Sequence, residues 1–334
     1  MKRAIAALAL AVFACLAAGC GPKITASEAF SDWVLASHPK LSGEKRLKAA
    51  RRFLDRFPDT SHTPRVADSA VRILSGELGD PEGADELLVE LLEEVKTPET
   101  RKALTRMRLG LLAARKDHEG LRAVAADLAG GAGARFEDHA TVLAAAIAGE
   151  DWGLALEHAD RSLALATVEG FRAELAGRPM RDEVVAFVVR RRRVVALGGR
   201  GWALANAGRL EEGIVALREA YGADDRGYMG DTEQRTGRRL GQALARSGRR
   251  EEAIDLLAIE ALFGNDVDAA SALKRLWLEG GGREDGWEEW LHGERLRRAR
   301  QLEDVVLTDY SGVPRSLSAM RNGEVTFLVF WTPT

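Results

Sequence analysis

The sequence predicts a mostly α-helical protein, an α-solenoid of stacked helical hairpins, followed by a partial α/β segment. Three observations lead to this prediction. Apolar residues recur every three or four positions across residues 27–299, which is the period of amphipathic helices. Two stretches, 201–214 and 241–254, repeat one pattern of small, acidic and apolar residues. Residues 325–334 form an apolar run that is typical of a buried strand.

Residues 1–19 have the features of a secretory signal. Lys2 and Arg3 precede an apolar stretch, residues 4–18, that is shorter than the roughly 20 residues needed to cross a bilayer. The following residues, 16–20, resemble a bacterial lipobox, although the lipobox more often has leucine one place closer to the cysteine. The resemblance implies that Cys20 becomes the mature N-terminus and carries a lipid, with residues 20–26 as a linker to the membrane.

The same resemblance implies a location in the bacterial cell envelope, facing the periplasm. Gly21 stands where an aspartate commonly signals retention in the inner membrane, so the outer membrane is slightly favoured. The alternative is an ordinary secretory signal in which Cys20 bears no lipid.

Charge and composition exclude several classes of function. The 48 basic and 51 acidic residues give a net charge of −3, which argues against a nucleic-acid partner because phosphate contacts need a concentrated basic surface. Aromatic residues make up 6% of the chain, too few for stacking platforms. The two cysteines are Cys15 and Cys20, so no disulfide, zinc cluster or cysteine nucleophile is expected after processing. We expect no cofactor.

The middle of the chain, residues 27–299, is predicted to form helical repeats, and the copies at 195–221 and 235–262 are the clearest. Both share Gly, Ala-Leu-Ala, Gly-Arg, Glu-Glu and Ile at matching positions. They resemble the tetratricopeptide repeat, a helix–turn–helix unit of about 34 residues. The resemblance implies that small residues lie where the two helices cross, namely Gly201, Gly213, Gly241 and Ala253. It also implies that Gly208 and Gly248 close the first helices.

Weaker copies precede these two. Residues 150–156 stand in place of the Gly-Arg-x-Glu-Glu-Ala-Ile turn of the clear copies. Leu109, Gly110 and residues 117–121 match the small residues and the turn of those copies less closely. Residues 50–61 resemble a junction found in tetratricopeptide-like envelope lipoproteins. We expect five to seven hairpins that stack and form a groove lined by the first helix of each repeat. Such a groove binds a protein or peptide partner, whose identity the sequence does not give.

The candidate partner-binding residues are four consecutive arginines, Arg190, Arg191, Arg192 and Arg193. Four consecutive positions cover most of the circumference of a helix, so they cannot all share one face. Those in the groove would bind carboxylates or the C-terminus of a partner. The alternative is an exposed, charged turn of helix whose aliphatic stems cover neighbouring residues.

Other candidate sites are weaker. Trp287 and Trp290 share a helical face and are expected to pack rather than to form a binding platform. The six histidines are scattered without the spacing of metal ligands, so we expect no metal site. Residues 130–135 are rich in glycine but lack the Gly-Lys-Ser/Thr ending of a phosphate loop, and a loop between helices is expected.

Residues 303–334 carry a second resemblance. Asp309 to Gly312 are predicted to form a turn between two short strands, and the apolar run 325–334 follows. This segment resembles the start of a thioredoxin-like domain of the redoxin group, which includes thiol oxidoreductases and peroxiredoxins. Trp331 matches the tryptophan near the redoxin active site. In that alignment the first catalytic cysteine would follow Thr334, so no catalytic residue is predicted in the chain as given.

Three functional predictions remain open. The first is a membrane-anchored envelope protein that binds a partner through its repeat groove without catalytic activity. The second is a fragment of a thiol–disulfide oxidoreductase or thiol peroxidase whose repeats recruit the substrate. The third is a structural spacer in the envelope. The coding DNA after Thr334 separates the first two. A Cys-x-x-Cys pair there supports an oxidoreductase, and a single cysteine supports a peroxidase. An immediate stop codon supports partner binding without catalysis.

Overall fold

The computed structural model describes residues 24–131, 133–223, 235–264, 266–298, 306–308 and 313–316. In these ranges the protein is mostly α-helical, with fifteen α-helices, which confirms the helical part of the predicted fold class. The described residues fall into two compact units that divide between Ala253 and Ile254. No helix in these ranges combines the length and apolarity needed to cross a bilayer.

The helices α1 to α12 belong to the first unit: Ala26–Ala36, Gly43–Arg56, Thr63–Arg72, Pro81–Glu94, Pro98–Arg115, His118–Ala129, Phe136–Ala148, Trp152–Leu165, Val168–Glu174, Asp182–Asn206, Leu210–Ala223 and Thr236–Arg246. Helix α13, Arg250–Leu262, contains the division between the units, and α14 and α15 follow as Val267–Glu279 and Trp287–Arg298. A π-helical turn, Ile73–Glu77, continues α3, and a 3₁₀ turn, Glu284–Gly286, precedes α15.

Two three-residue strands lie near the C-terminus. Strand β1, Val306–Thr308, pairs antiparallel with β2, Pro314–Ser316. The strands flank residues 309–312, where the sequence predicts a turn. Most of the predicted α/β segment, including residues 325–334 and Trp331, lies outside the described residues. The thioredoxin-like domain therefore stays a prediction, as do the signal at residues 1–19 and the lipid on Cys20.

Each unit has its own apolar core. In the first unit one buried cluster surrounds Leu54 and Leu88 on α2 and α4, and a second surrounds Leu112 and Leu143 on α5 and α7. In the second unit Leu273 belongs to a separate buried cluster. Burial of these side chains supplies the main driving force for folding, at about 25 cal/mol per Å² of apolar surface.

A left-handed residue closes the first helix of successive hairpins. Gly208 and Gly248 have φ values of 86° and 81°, which confirms their predicted role, and Gly79 has a φ of 66° at an earlier turn. Lys116 and Glu150 occupy the same position with φ values of 54° and 60°. Glycine adopts this conformation without steric cost, whereas a residue with a Cβ loses roughly 1–2 kcal/mol. The turn geometry therefore repeats even where the glycine does not.

The residue after each of these turns begins the second helix. Its N–H donates to a carbonyl of the first helix, in the pairs Asp117–Leu112, Asp151–Ala146, Arg209–Leu204 and Arg249–Leu244, at 2.9 to 3.0 Å. In three hairpins this residue is an aspartate whose carboxylate caps the second helix by accepting a backbone N–H: Asp80 from Gly83, Asp117 from Gly120, and Asp151 from Leu154. These caps satisfy N–H groups that a helix leaves unpaired.

Backbone contact between α10 and α11 occurs at two glycines, as the repeat pattern predicts. A Cβ added to Gly201 would lie 2.8 Å from the Leu217 nitrogen and 2.9 Å from the Gly213 carbonyl oxygen. A Cβ added to Gly213 would lie 2.6 Å from the Gly201 carbonyl oxygen. Since real Cβ atoms do not approach this closely, only glycine permits the observed distance between the two helices.

Two further glycines bring α10 close to other helices. A Cβ on Gly199 would lie 2.6 Å from the Leu143 side chain of α7, and one on Gly198 would lie 3.1 Å from the Thr236 hydroxyl of α12. Gly110 was expected to share the role of Gly201, and this expectation is wrong. Gly110 is exposed on α5 with no atom near its added Cβ, and the buried Leu109 occupies the equivalent position.

Alanine substitutions at Gly201 and Gly110 are predicted to change stability in opposite directions. Gly201→Ala should lower the free energy of unfolding by about 1–3 kcal/mol, because the new methyl group meets α11 backbone. Gly110→Ala should raise it by about 1 kcal/mol, because alanine favours an exposed helix over glycine. Urea unfolding followed by circular dichroism measures both values. Equal effects of the two substitutions would contradict the crossing at Gly201.

Candidate partner-binding site

The candidate site lies on α10 and α12, the first helices of two successive hairpins in the first unit. Trp202 of α10 is half-buried, and two guanidinium groups of α12 flank its ring. The Arg239 and Arg246 carbons Cζ lie 5.8 Å and 5.3 Å from the ring centroid. At these distances the positive charges are attracted to the negative face of the indole. The three side chains therefore form one surface of stacked aromatic and cationic groups.

Asn206 completes this surface one helical turn after Trp202. Its amide Nδ2 donates to the Trp202 carbonyl oxygen at 2.7 Å, which fixes the orientation of the amide. Its Oδ1 then accepts a hydrogen bond from Arg246 Nη1 at 3.0 Å. The second hydrogen bond holds the Arg246 guanidinium beside the indole, with its other N–H groups available as donors.

Arg246 differs from most arginines around it in its hydrogen-bond partner, which is an amide. Among the described residues its partners are the Asn206 amide and the Trp202 ring, and no carboxylate pairs with it. Partial burial lowers the pKa of Arg246 from its ordinary value. The guanidinium nevertheless remains charged at all physiological pH values. A partly desolvated cation without an anion is the feature that an incoming carboxylate would stabilise.

Other arginines of this region contrast with Arg246, because each is paired with a carboxylate. The pairs are Arg200–Asp160, Arg193–Glu219, Arg209–Glu212, Arg249–Glu211 and Arg218–Glu252. Exposed ion pairs of this kind contribute little to stability. They do, however, occupy the guanidinium groups, so Arg246 differs from its neighbours in being available to an external anion.

The four arginines predicted for partner binding lie within α10, and the structure separates them. Arg190, Arg191 and Arg193 are exposed, whereas Arg192 is buried. The Arg191 guanidinium lies over the Phe187 ring at 6.0 Å, and Arg193 pairs with Glu219 at 3.4 Å. None of the four belongs to the surface around Trp202.

Arg192 has a structural position inside the first unit. Its Cζ lies 4.7 Å from the ring centroids of both Phe136 and Phe171. One nitrogen, Nη2, donates to Glu174 at 2.7 Å and to Glu137 at 3.3 Å. The two rings and two carboxylates offset much of the cost of burying the charge, while the buried Nε and Nη1 have no hydrogen-bond partner among the described residues. Arg192 therefore joins α7, α9 and α10 and is not accessible to a partner.

The predicted packing role of Trp287 and Trp290 agrees with the structure of the second unit. Trp287 is buried and stacks on Trp290 with a centroid distance of 5.3 Å. Trp277 joins both rings at 5.8 Å and 5.9 Å. The backbone of Gly282 lies against Trp277, so closely that a Cβ would be 2.3 Å from the ring. These three rings form part of the apolar core of that unit.

Sequence reasoning missed a pair of buried histidines. His139 of α7 and His158 of α8 are 5% and 3% exposed, and their Nδ1 atoms lie 3.1 Å apart. One ring therefore donates its Nδ1–H to the other, and the accepting ring must be unprotonated at Nδ1 and hence neutral. The two residues are far apart in sequence, and the α7–α8 hairpin brings them together. Their only sequence signal is that each occupies an apolar position of its helix.

Charged groups around the histidine pair are already paired. Asp138 bonds to Lys102, with Arg106 at 3.7 Å, and Glu157 pairs with Arg161 at 2.8 Å. Burial lowers the pKa of His158 to about 4, assisted by His139 and by the Arg161 guanidinium. Burial and Arg161 also lower the pKa of His139, against the opposing effect of Asp138 and Glu157.

His158 also lines a cleft of about 450 Å³ between α6 and α8. The rim has two arginines, and each is paired with an acid. Arg122 forms two hydrogen bonds with Asp151 at 2.7 and 2.9 Å, and Arg161 pairs with Glu157. The hydrogen bonds from Arg122 lower the pKa of Asp151. Because these charges cancel, the cleft offers no net attraction to an ion.

In the part of the chain that the structure describes, no group of three or more His, Cys, Asp or Glu side chains could hold a metal ion. Comparison with known proteins adds no assignment. No protein-family model matches the chain, and no curated protein matches it. The candidate site around Trp202 and Arg246 is therefore identified from the contacts and charges of its own residues.

The histidine pair is predicted to make stability depend on pH. In the folded state His158 stays neutral down to about pH 4, whereas the unfolded histidine titrates near 6.5. The unfolded chain therefore binds more protons between these values, and the free energy of unfolding falls as the pH falls from 6.5 to 4. The loss should be on the order of 2 kcal/mol. Thermal and urea unfolding at several pH values measure it.

The control for this prediction uses two variants. The double variant His139→Gln/His158→Gln should have a flatter dependence on pH than the native chain, while carboxylates titrate equally in both. The exposed His292→Gln should retain the native slope. A double variant with the native slope would show that the folded pair takes up protons over the same pH range as the unfolded chain, which would contradict the lowered pKa of His158.

Proposed function

We propose that this chain binds a protein or peptide partner through the surface formed by Trp202, Asn206, Arg239 and Arg246. The surface belongs to a tetratricopeptide-like helical array, which is tethered to the bacterial cell envelope by a lipid on Cys20. The proposal concerns binding, and no catalytic role is assigned to any residue of the chain.

The observation that carries this proposal is the unpaired Arg246 guanidinium beside the Trp202 ring. Arg246 lies 5.3 Å from the ring centroid and has an amide, not an acid, as its hydrogen-bond partner. Tryptophan and arginine are the residue types that contribute most to protein–protein binding when a partner covers them. A carboxylate of the partner would accept hydrogen bonds from Arg246, while an apolar or aromatic side chain of the partner would cover the indole.

The tetratricopeptide-like nature of the array is supported by the repeated turn and by the glycine crossing. The left-handed residues Gly208 and Gly248 and the contact between Gly201 and Gly213 occur at the positions that the resemblance implies. In repeats of this kind the first helices form the binding surface, and α10 and α12 are first helices. The envelope location depends on the lipobox resemblance at residues 16–20.

The redoxin resemblance of residues 303–334 defines a second candidate function, thiol chemistry in a longer protein that contains this chain. The antiparallel pairing of β1 with β2 is the observation that favours it. The resemblance requires cysteines beyond Thr334, and the coding sequence described above decides between the alternatives.

Loss of the Arg246 charge is predicted to weaken partner binding. A random peptide library selected against the native chain should yield peptides enriched in aspartate, glutamate or a free C-terminal carboxylate. The best peptide should bind Arg246→Gln at least tenfold more weakly, since a hydrogen bond to a charged group contributes about 1.5–3 kcal/mol. Trp202→Ala should cause a similar loss. Fluorescence anisotropy with the labelled peptide measures each Kd.

Arg209→Gln is the matched control, because Arg209 is an exposed arginine of the same unit that pairs with Glu212. It should change the Kd less than twofold, and unfolding midpoints of all variants should confirm that they are folded. Selected peptides without acidic groups, or equal affinities of Arg246→Gln and the native chain, would reject the site.

Lipid attachment is predicted to depend on Cys20. Cells that express the native chain should incorporate labelled palmitate into it, and a wash with 0.5 M salt should leave it on the membrane. Cys20→Ser should lose the label and be released by the same wash, because multiple acyl chains anchor more firmly than electrostatic contacts. Cys15→Ser lies in the predicted signal and should keep the label. Palmitate on the Cys20→Ser chain would disprove this anchor.

A further inference from the structure

Helix α2 of the first hairpin carries a concentration of positive charge on its exposed side. Helix α2 contains six basic and two acidic side chains, although the whole chain has a net charge of −3. Lys45, Lys48, Arg52 and Arg56 follow one another at spacings of three and four residues, so they lie along one side of the helix. All four are exposed. We call these four residues the basic face.

In the ranges that the structure describes, the basic face has no acidic partner. Arg46 of the same helix bonds to Glu77, and the Arg56 guanidinium lies 5.3 Å from the Phe57 ring centroid. Among the described residues no ion pair is formed by Lys45, Lys48 or Arg52. Several basic side chains of the following helices are paired, for example in Arg72–Asp68, Arg108–Asp85, Arg115–Glu82 and Lys116–Glu150.

Like charges three and four residues apart destabilise a helix. Because the six basic side chains of α2 exceed its two acidic ones, Glu44 and Asp55, an anion outside the chain would stabilise this helix. The same hairpin also exposes large apolar side chains. Leu35 near the end of α1 is 77% exposed, and Val34 and Leu41 are exposed as well. Cationic and apolar side chains on one short element are typical of a surface that meets lipid headgroups and the acyl boundary beneath them.

The position of the hairpin favours a membrane over an acidic protein or a nucleic acid. Thr25 caps α1 and is five residues from Cys20, so even a fully extended chain spans at most about 18 Å between them. If Cys20 carries the proposed lipid, this hairpin lies within a short distance of the bilayer surface. Electrostatic attraction acts over about 10 Å at moderate salt, and a tether this short allows the hairpin to approach the headgroups to within that range.

We propose that the basic face, together with Leu35 and Leu41, binds an anionic phospholipid surface and holds the first hairpin against the membrane. The proposal rests on the proposed lipid anchor for its location, but the binding itself needs no lipid on Cys20. The lipid would tether the chain, and the basic face would orient the first hairpin on the headgroups.

The test uses residues 20–334 with Cys20→Ser, which retain every described residue and cannot be acylated. Vesicles of 30% phosphatidylglycerol in phosphatidylcholine should sediment this chain at 50 mM salt, and vesicles of phosphatidylcholine alone should not. Raising the salt to 500 mM should abolish the binding, because the contacts are electrostatic. Binding that ignores headgroup charge, or no binding to the anionic vesicles, would overturn the proposal.

The variant Lys48→Glu/Arg52→Glu should bind the anionic vesicles at least 25-fold more weakly, since each basic residue near the surface contributes about fivefold. Arg275→Glu/Arg295→Glu is the matched control. It makes the same change in net charge at two exposed arginines outside the hairpin, and it should reduce binding less than threefold. If both double variants lose the same affinity for anionic vesicles, the binding depends only on net charge, and the proposed role of the basic face is rejected.

A nucleic-acid partner is distinguished in the same assay. A 20-base-pair DNA duplex at equal phosphate concentration should not displace the chain from the vesicles, and full displacement would show that the face binds any polyanion. The palmitate experiment on Cys20 decides the anchor independently. If the native protein incorporates palmitate but the Cys20→Ser chain does not bind anionic vesicles, the lipid anchor is supported and the membrane-binding role of the basic face is rejected.

Discussion

The contact between Gly201 and Gly213 determines the geometry of the central hairpin. Because Gly201 faces α11, the next residue is turned by about 100° around α10, and Trp202 meets the arginines of α12 there. Gly199, two residues earlier, permits the approach of Leu143 from α7. Glycines inside a helix cost about 1 kcal/mol each relative to alanine. Close packing on three neighbouring helices offsets this cost and positions the candidate site.

Two arginines of the first unit, Arg192 and Arg246, have different roles because different groups surround them. Arg192 is buried between Phe136 and Phe171 and bonds to Glu174 through Nη2, so its charge is paired inside the protein and joins three helices. Arg246 also lies beside an aromatic ring but has only an amide oxygen as its partner. The difference lies in the carboxylates, which reach Arg192 from α7 and α9 and do not reach Arg246.

Local patterns predicted the helices, the glycine crossing and the turns at Gly208 and Gly248, because each depends on residues close in sequence. Gly110 was misplaced since a register error of one residue moves a side chain to another face of the helix. The turns at Lys116 and Glu150 lack the glycine that would have marked them. Long-range contacts were beyond prediction, since the pairing of His139 with His158 and the burial of Arg192 require knowledge of which helices pack together.

The repeated left-handed turn has a consequence for how such a chain changes length. Gly79, Lys116, Glu150, Gly208 and Gly248 all return the backbone in the same direction before a second helix. Two helices lie between neighbouring turns of this set, except between Glu150 and Gly208, where the short α9 adds a third. Duplication or deletion of the sequence between two turns that enclose two helices would therefore add or remove one whole hairpin. The boundary of such a unit is set by the left-handed backbone conformation, and glycine, lysine and glutamate all occupy it in this chain.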